Sequence, residues 1–249
     1  MTPPIDPFSP RAHKGRGAAS NPEGRFETTR HHAEDDGWQS ALLDDAASRP
    51  RTEVTEERAR SVITRNDSPD IHFSQAMNPY RGCEHGCIYC FARPSHSYLN
   101  LSPGLDFETK LRAKGNLAEV LRHELSRPGY RVAPINIGSN TDPYQPIEKR
   151  WRLTRAALEL MAECGHPCTI VTKNALVERD LDLLAPMAEA NLVQGFVSVN
   201  SLDNRLAAKL EPRASAPHRR IQAIRALAGA GVPVGVLVAP IIPALNDRD

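Results

Sequence analysis

The sequence predicts an α/β protein, a parallel sheet of about five βα units behind a largely irregular N-terminal arm. After a first run at Gln75, short apolar or β-branched runs begin roughly every thirty residues from Pro134 onward. Segments with apolar residues at helical spacing lie between them. Residues 1–60, by contrast, show no apolar periodicity and open on a proline-rich stretch, Met1 to Pro10.

In chain order, residues 1–60 read as a flexible or surface-wrapped arm. It carries Arg11, Lys14, Arg16, Arg25 and Arg30 among glycines and small residues. Such a basic arm is compatible with nucleic acid, but solvated charge is the favoured reading. Phe26 and Trp38 are points where it could be pinned, and Glu53 to Arg60 reads as a short helix. The core domain then runs over 61–249. Gln75 to Tyr80 is the first strand. Asn116 is placed to cap a helix through Arg127 whose inner face is Leu117, Val120, Leu121 and Leu125. Pro134 to Gly138 is the second strand. A helix from about Leu153 with Ala157, Leu160, Met161 and Cys164 on one face ends at Gly165 and Pro167. Cys168 to Thr172 is the third strand, and Asp180 to Ala190 is helical with Pro186 inside it. Gly195 to Asn200 is the fourth strand, followed by a short helix over Asn204 to Leu210. Pro217 opens a helix carrying Ile221, Ile224 and Ala228 and ended by Gly229 and Gly231. Val232 to Ala239 is the fifth strand, apolar enough to be buried on both faces.

Composition narrows the classes. A net charge of +1 names no partner. Five cysteines, an odd number with three in one short run, argue against a disulfide framework and for a reducing compartment. With no apolar leader or membrane-length stretch, a soluble, cytoplasmic protein is expected.

The chemistry concentrates in Arg81-Gly82-Cys83-Glu84-His85-Gly86-Cys87-Ile88-Tyr89-Cys90. Three cysteines spaced Cys-x3-Cys-x2-Cys can hold three corners of a cubane iron–sulfur cluster and leave one iron open. The alternatives are a zinc site completed by His85 or His96, or three unrelated buried thiols. Cys164 and Cys168 read as small buried hydrophobes. In parallel α/β folds ligands bind beyond the C-terminal strand ends. Those ends carry the cysteine loop, the run Gly138 to Glu148, Thr172-Lys173-Asn174, Ser198-Val199-Asn200-Ser201 and Ala239-Pro240.

The cysteine run, with aromatic Tyr89 before its last cysteine, resembles the signature of the radical SAM superfamily. Asn-Thr-Asp-Pro-Tyr-Gln-Pro at 140–146, Val-Thr-Lys at 171–173, Ser-Val-Asn-Ser at 198–201, Glu-Pro-Arg at 211–213 and Val-Ala-Pro-Ile at 238–241 are similar to its spore photoproduct lyase branch, including relatives labelled DNA repair photolyases. The arm's Lys14-Gly15-Arg16-Gly17-Ala18 and Asn21-Pro22 resemble one subgroup of those relatives.

The resemblance implies a partial TIM-like barrel of six βα units, of which five are seen, so the chain reads as truncated at its C-terminus. It implies that Cys83, Cys87 and Cys90 ligate a [4Fe-4S] cluster and that Tyr89 packs by the adenine of S-adenosylmethionine (SAM). Ser139, Asn140, Thr141 and Asp142 take the place of the segment meeting the SAM amino group. Lys173 then meets the carboxylate, Ser198 the ribose and Ala239 the adenine; Asn200 belongs to the same set. The lyase's hydrogen-donating cysteine is matched by Ser139. Implied too are a low-potential donor of flavodoxin or ferredoxin type and a substrate for which nucleic acid is the favoured class. Two other readings stand beside this one, a non-catalytic iron–sulfur or zinc module and a radical SAM enzyme modifying protein or RNA.

Overall fold

The computed structural model describes residues 13–24 and 50–247. Arg11, Arg25, Arg30, Phe26 and Trp38, singled out in the arm, lie outside the described residues.

Among the described residues nine strands form two sheets. The larger runs in the spatial order β2 (Ile63–Arg65), β3 (Gln75–Met77), β6 (Ile135–Ile137), β7 (Cys168–Thr172), β8 (Val193–Ser198), β9 (Val234–Leu237). All neighbours from β3 to β9 pair in parallel, and β2 alone is antiparallel, against β3. The parallel strands follow one another in sequence order without reversal, as in a barrel wall. The smaller sheet is β1 (Glu53–Glu57), β5 (Lys110–Lys114) and β4 (Tyr80–Arg81). The helices are α1 (Leu105–Thr109), α2 (Leu117–Leu125), α3 (Glu148–Trp151), α4 (Leu153–Glu163), α5 (Leu181–Glu189), α6 (Asn204–Leu210) and α7 (Pro217–Gly229). Among the described residues no helix is long and apolar enough to cross a membrane.

Helices α2 and α4 lie on the sheet largely through the faces the periodicity marks, whereas α7 buries Ala223 and Leu227 and leaves Ile221 and Ile224 only partly buried and Ala228 exposed. Leu117 and Leu121 of α2, Leu158 and Met161 of α4, Leu184 and Met187 of α5, and Ala223 and Leu227 of α7 share one core with Met77, Ile135, Ile137, Ile170, Val193 and Val197. Each large side chain buried there contributes roughly 1.5–3 kcal/mol relative to exposure. The α/β architecture with five parallel strands is as expected.

Four local expectations are corrected. Glu53 to Arg60 is not a helix: β-branched Val54 and Thr55 sit in strand β1, which pairs with β5 and packs Val54 against Tyr80 and Ala113. The first strand is split at Asn78-Pro79, because a proline cannot donate to the ladder, and Tyr80–Arg81 joins the other sheet. The last strand is shorter and only half-buried, with Val236 49% and Val238 55% exposed, since it pairs on one edge alone among the described residues. Cys164 is exposed at the C-cap of α4, whereas Cys168 is buried as expected. Asn116 does occupy the cap position of α2, but its amide instead bonds both backbone groups of Ala59, at 2.8 and 2.9 Å.

Candidate active site

The parallel register sets one level for the functional loops. Met77 pairs with Ile137, Ile137 with Ile170, Thr172 with Val197, and Ser198 with Leu237. The chain therefore leaves β3, β6, β7, β8 and β9 on the same edge of the sheet, where the cysteine loop, Gly138 to Glu148, Lys173, Ser198 to Asn200, and Ala239 are found. A shallow hollow lined by Arg65, Glu124 and Tyr130 lies instead beside Gln75, at the other end of β3.

The cysteine loop is held from every side. Gly82 has a left-handed φ of 75°, and a side chain there would strike Phe107 O at 2.8 Å. Cys83 N donates to the same carbonyl at 2.9 Å. The Gln145 amide accepts from Glu84 N at 2.9 Å and donates to Gly82 O at 3.1 Å. Arg93 clasps Cys87 O through Nε and Nη2 at 3.2 and 2.9 Å. From the last residue of α6 and the segment after it, Leu210 O accepts from Ile88 N at 3.0 Å, Arg213 N donates to His85 O at 3.2 Å, and Arg213 pairs with Glu84 at 2.9 Å.

Burial dominates the thiols. It pushes the Cys83 pKa well above its usual value, helped by Asp142 and Cys87. Cys87 is pushed up to about 12 by burial, with Lys173 pulling against it and Glu211 and Cys90 adding to it. Cys83 and half-buried Cys90 lie in one small apolar cluster with Ala92 and Phe107. Among the described residues no three His, Cys, Asp or Glu side chains converge on one ion position. The two candidate histidines are turned elsewhere. His96 Nε2 meets Lys110 O at 3.0 Å. His85 Nε2 meets the Asn174 amide at 3.2 Å, and its Nδ1 lies 3.3 Å from Asp142 without hydrogen-bond alignment.

The loop after β6 is fixed by Asn78. Its amide donates to Ser139 Oγ at 3.0 Å and accepts from the N–H groups of Asn140 and Thr141 at 2.9 and 3.1 Å. The Asn140 side chain reaches Ser95 at 3.2 Å, and buried Thr141 donates to Tyr80 O at 3.0 Å. Asp142 points inward, accepting from Lys173 N at 2.7 Å and from Thr172 Oγ1 at 2.8 Å. Burial alone would raise its carboxyl; the adjacent His85 and these donors overcome that and hold it at about 2. Asp142 thus fastens β6 to β7 and leaves the half-buried Lys173 side chain close enough to Cys87 to influence it.

A third group joins the far strands to the cysteine loop. The Tyr89 hydroxyl donates to Glu211 and accepts from Asn200 Nδ2 at 3.2 Å. Burial raises the Tyr89 pKa, and Cys87 and Glu211 raise it further. The other Glu211 oxygen is held by Arg220, the largest fully buried side chain, which also donates to Ser198 O at 3.0 Å and Ser215 O at 2.6 Å. Asn246 ties Asn200 O to Pro240 O at 2.8 and 2.9 Å, next to exposed Ala239.

The structure thus places all twelve candidate residues on the strand-end edge or the cysteine loop. Arg93, Gln145, Glu211 and Arg220, whose bonds set this geometry, carried no role in the sequence reading. Arg220 had a visible signal, a charge at the buried helical spacing Pro217, Arg220, Ala223, Leu227.

The family model described as "Radical SAM superfamily" matches residues 77–249. An uncharacterized protein of Mycobacterium tuberculosis is 43% identical over 177 residues, 71% of this chain and 52% of the relative. One from Methanocaldococcus jannaschii is 27% identical over 197 residues, covering 79% and 71%. A Pseudomonas phage M6 protein named "Radical SAM Nalpha-GlyT isomerase" is 27% identical over 182 residues, 71% of this chain and 35% of that protein. Among solved structures, spore photoproduct lyase complexed with dinucleoside spore photoproduct superposes with a TM-score of 0.53 at 21% identity, over 76% of this chain and 52% of the lyase. A variant of that lyase with AdoMet and dinucleoside spore photoproduct bound gives 0.53 at 23%, over 76% and 51%. The chain spans about half the length of the mycobacterial relative and of the lyase. The shared fold and a family match covering most of the chain lead to one conclusion: the chain belongs to the radical SAM superfamily.

Proposed function

We propose that this chain is the core of a radical SAM enzyme in which Cys83, Cys87 and Cys90 hold a [4Fe-4S] cluster and the strand ends hold SAM. The observation that carries the reading is the cysteine loop itself, three thiols of which two are buried, on a loop clamped by Gln145, Arg93 and Arg213. The donor chemistry fits. Three thiols on one short loop are soft ligands of the kind an iron–sulfur cluster takes.

The SAM side fits as well. Asn200 Oδ1 is buried without a partner, which costs about 1–3 kcal/mol, and the hydroxyl or amino donors of an adenosine would satisfy it. In this reading Tyr89 lies against the adenine and Lys173 faces the carboxylate as a charge-assisted partner. Thr141, whose hydroxyl is directed to Tyr80 O, shapes the loop, with Ser139, Asn140 and Asp142, around the amino group. Ser198 and Ala239 flank the nucleoside. With both groups bound, reductive cleavage of the sulfonium bond supplies a 5′-deoxyadenosyl radical. The chain's residues orient SAM and exclude water around it.

The substrate class proposed is nucleic acid, in keeping with the dinucleoside photoproduct named in the lyase complexes. Ser139 sets a limit. A hydroxyl is a poor hydrogen-atom donor to a carbon radical, so the product radical is quenched by another route than a cysteine at this position. The electron donor proposed is a flavodoxin or ferredoxin.

Anaerobic reconstitution with iron and sulfide, then SAM and dithionite, tests the reading. Brown protein, about four irons per chain and 5′-deoxyadenosine are expected, with all three abolished in Cys87→Ala. A colourless protein carrying stoichiometric zinc, or full cleavage by the variant, would refute it.

A further inference from the structure

The basic arm motif Lys14 to Asn21 has no part in the site as described, yet it is built against the cysteine loop. Consecutive amides Gly17 N and Ala18 N both donate to one carboxylate, Glu108, at 2.9 Å each. Glu108 is completely buried. It also takes Arg93 Nη2 at 2.6 Å, and that guanidinium is the one clasping Cys87 O. Gly17 and Gly86 meet backbone to backbone. A side chain on Gly17 would come 1.8 Å from Gly86 O, and one on Gly86 would come 2.7 Å from Glu108 Oε2. Arg16 secures the same point from outside, with Nη1 on Glu108 O at 2.8 Å and Nη2 on Pro50 O and Thr52 Oγ1 at 2.7 and 2.9 Å. Thr52 in turn donates to Glu84 of the cysteine loop at 2.6 Å.

A second fastening lies four residues on. Asn21 and Asp106 exchange hydrogen bonds at 2.9 and 3.1 Å, Leu105 N donates to Ser20 O at 3.1 Å, and Ser102 Oγ donates to Pro22 O at 2.6 Å. A solvated basic tail would not need a buried carboxylate, two side-chain-free contacts and a reciprocal amide–carboxylate pair.

We infer that residues 16–22 are a latch that fixes the cysteine loop around Cys87, and that Glu108 is the positioning residue joining latch to loop through Arg93. The inference rests on the cluster reading of the cysteines. Its consequence is retention. The loop cannot open to release iron until the latch lifts, and lifting exposes a buried carboxylate together with the partly buried guanidinium paired to it. Gly17→Val unseats the latch by its Cβ. Glu108→Gln keeps the shape and removes the charge that holds two amides and Arg93 at once.

The test compares the full-length chain with Gly17→Val, Glu108→Gln and, as control, Lys14→Ala, whose side chain is exposed. Circular dichroism first checks that each folds. Trypsin cleavage after Arg16 in the apo protein then reports latch release, and anaerobic loss of visible cluster absorption to a ferrous chelator reports retention. Gly17→Val and Glu108→Gln are expected to be cut faster at Arg16. They should lose iron about fivefold faster or more, the factor that corresponds to about 1 kcal/mol, with Lys14→Ala unchanged in both. Unaltered cleavage at Arg16 in Gly17→Val would refute the latch geometry. Faster cleavage with wild-type iron loss would refute its role in retention. A wild-type chain that takes up no iron refutes the cluster reading and the retention role with it, whatever the trypsin result.

Discussion

Replacing Arg220 with Met tests the support beneath Tyr89. Arg220 is 1% exposed and bonds to the Glu211 carboxylate and to the carbonyls of Ser198 and Ser215. Methionine approximates its volume but donates nothing. Glu211, 2% exposed, would keep only the Tyr89 hydroxyl as a side-chain donor, and two buried carbonyls would lose a partner. Breaking a buried ion pair from one side costs about 3–5 kcal/mol, because the remaining charge is uncompensated. In a domain of this size that lowers Tm by roughly 6–20 °C, at about 2–4 °C per kcal/mol. Removing both charges in Arg220→Met/Glu211→Leu should restore much of the loss, since an apolar pair of similar volume is often nearly neutral. Thermal and urea melts of the four proteins form a double-mutant cycle, with an expected coupling of about 2 kcal/mol or more. The double variant should nonetheless bind SAM weakly, because Tyr89 has lost its anchor. A single-variant loss under about 1 kcal/mol, or a double variant no more stable than Arg220→Met, would refute the argument that Arg220 acts by neutralising Glu211.

Three further outcomes follow from particular groups. Asp142 is held at about 2 against an ordinary 3.8; as a depressed carboxyl it contributes roughly 2 kcal/mol above pH 4, lost as pH falls through 2. Urea melts of Asp142→Asn against pH should show that loss already present at neutral pH and a flatter acid limb; equal stability at pH 7 would count against it. Lys114 is lowered to about 8, first by burial and then by Arg81, so the folded state is penalised while this lysine must be charged, and stability should rise between pH 8 and 10.5. Lys114→Met should therefore gain roughly 1–3 kcal/mol at pH 7 and lose most of that advantage above pH 10.5, and a destabilised variant at pH 7 would overturn the assignment. Lys173→Ala should weaken SAM binding by roughly 1.5–3 kcal/mol while leaving iron content intact, as measured by equilibrium dialysis on the reconstituted protein. Unchanged affinity would return Lys173 to an ordinary strand-end lysine.

The sequence by itself determined the elements whose signals are local. Apolar spacing set the inner face of α2 and most of that of α4, since burying those stripes is the main favourable term wherever they pack. Short apolar or β-branched runs marked the five parallel strands, and the Cys83, Cys87, Cys90 spacing marked the reactive loop, because one short segment carries all three candidate ligands. Strand ends named Asp142, Lys173 and Asn200 by a topological rule rather than by their own environments.

Only the tertiary structure decided the rest. The strand at Glu53–Glu57 depends on β5 as a partner more than fifty residues away, and three of its five residues are charged, so no local pattern announces it. Whether Cys164 or Cys168 is buried turns on which end of a βα unit faces the core. Gly17 on Gly86, Glu108 between the arm and Arg93, and Glu211 between Tyr89 and Arg220 join residues 9 to 122 positions apart. Such contacts exist only once the sheet has fixed the distances, because a buried carboxylate is tolerable only where folding brings its donors to it.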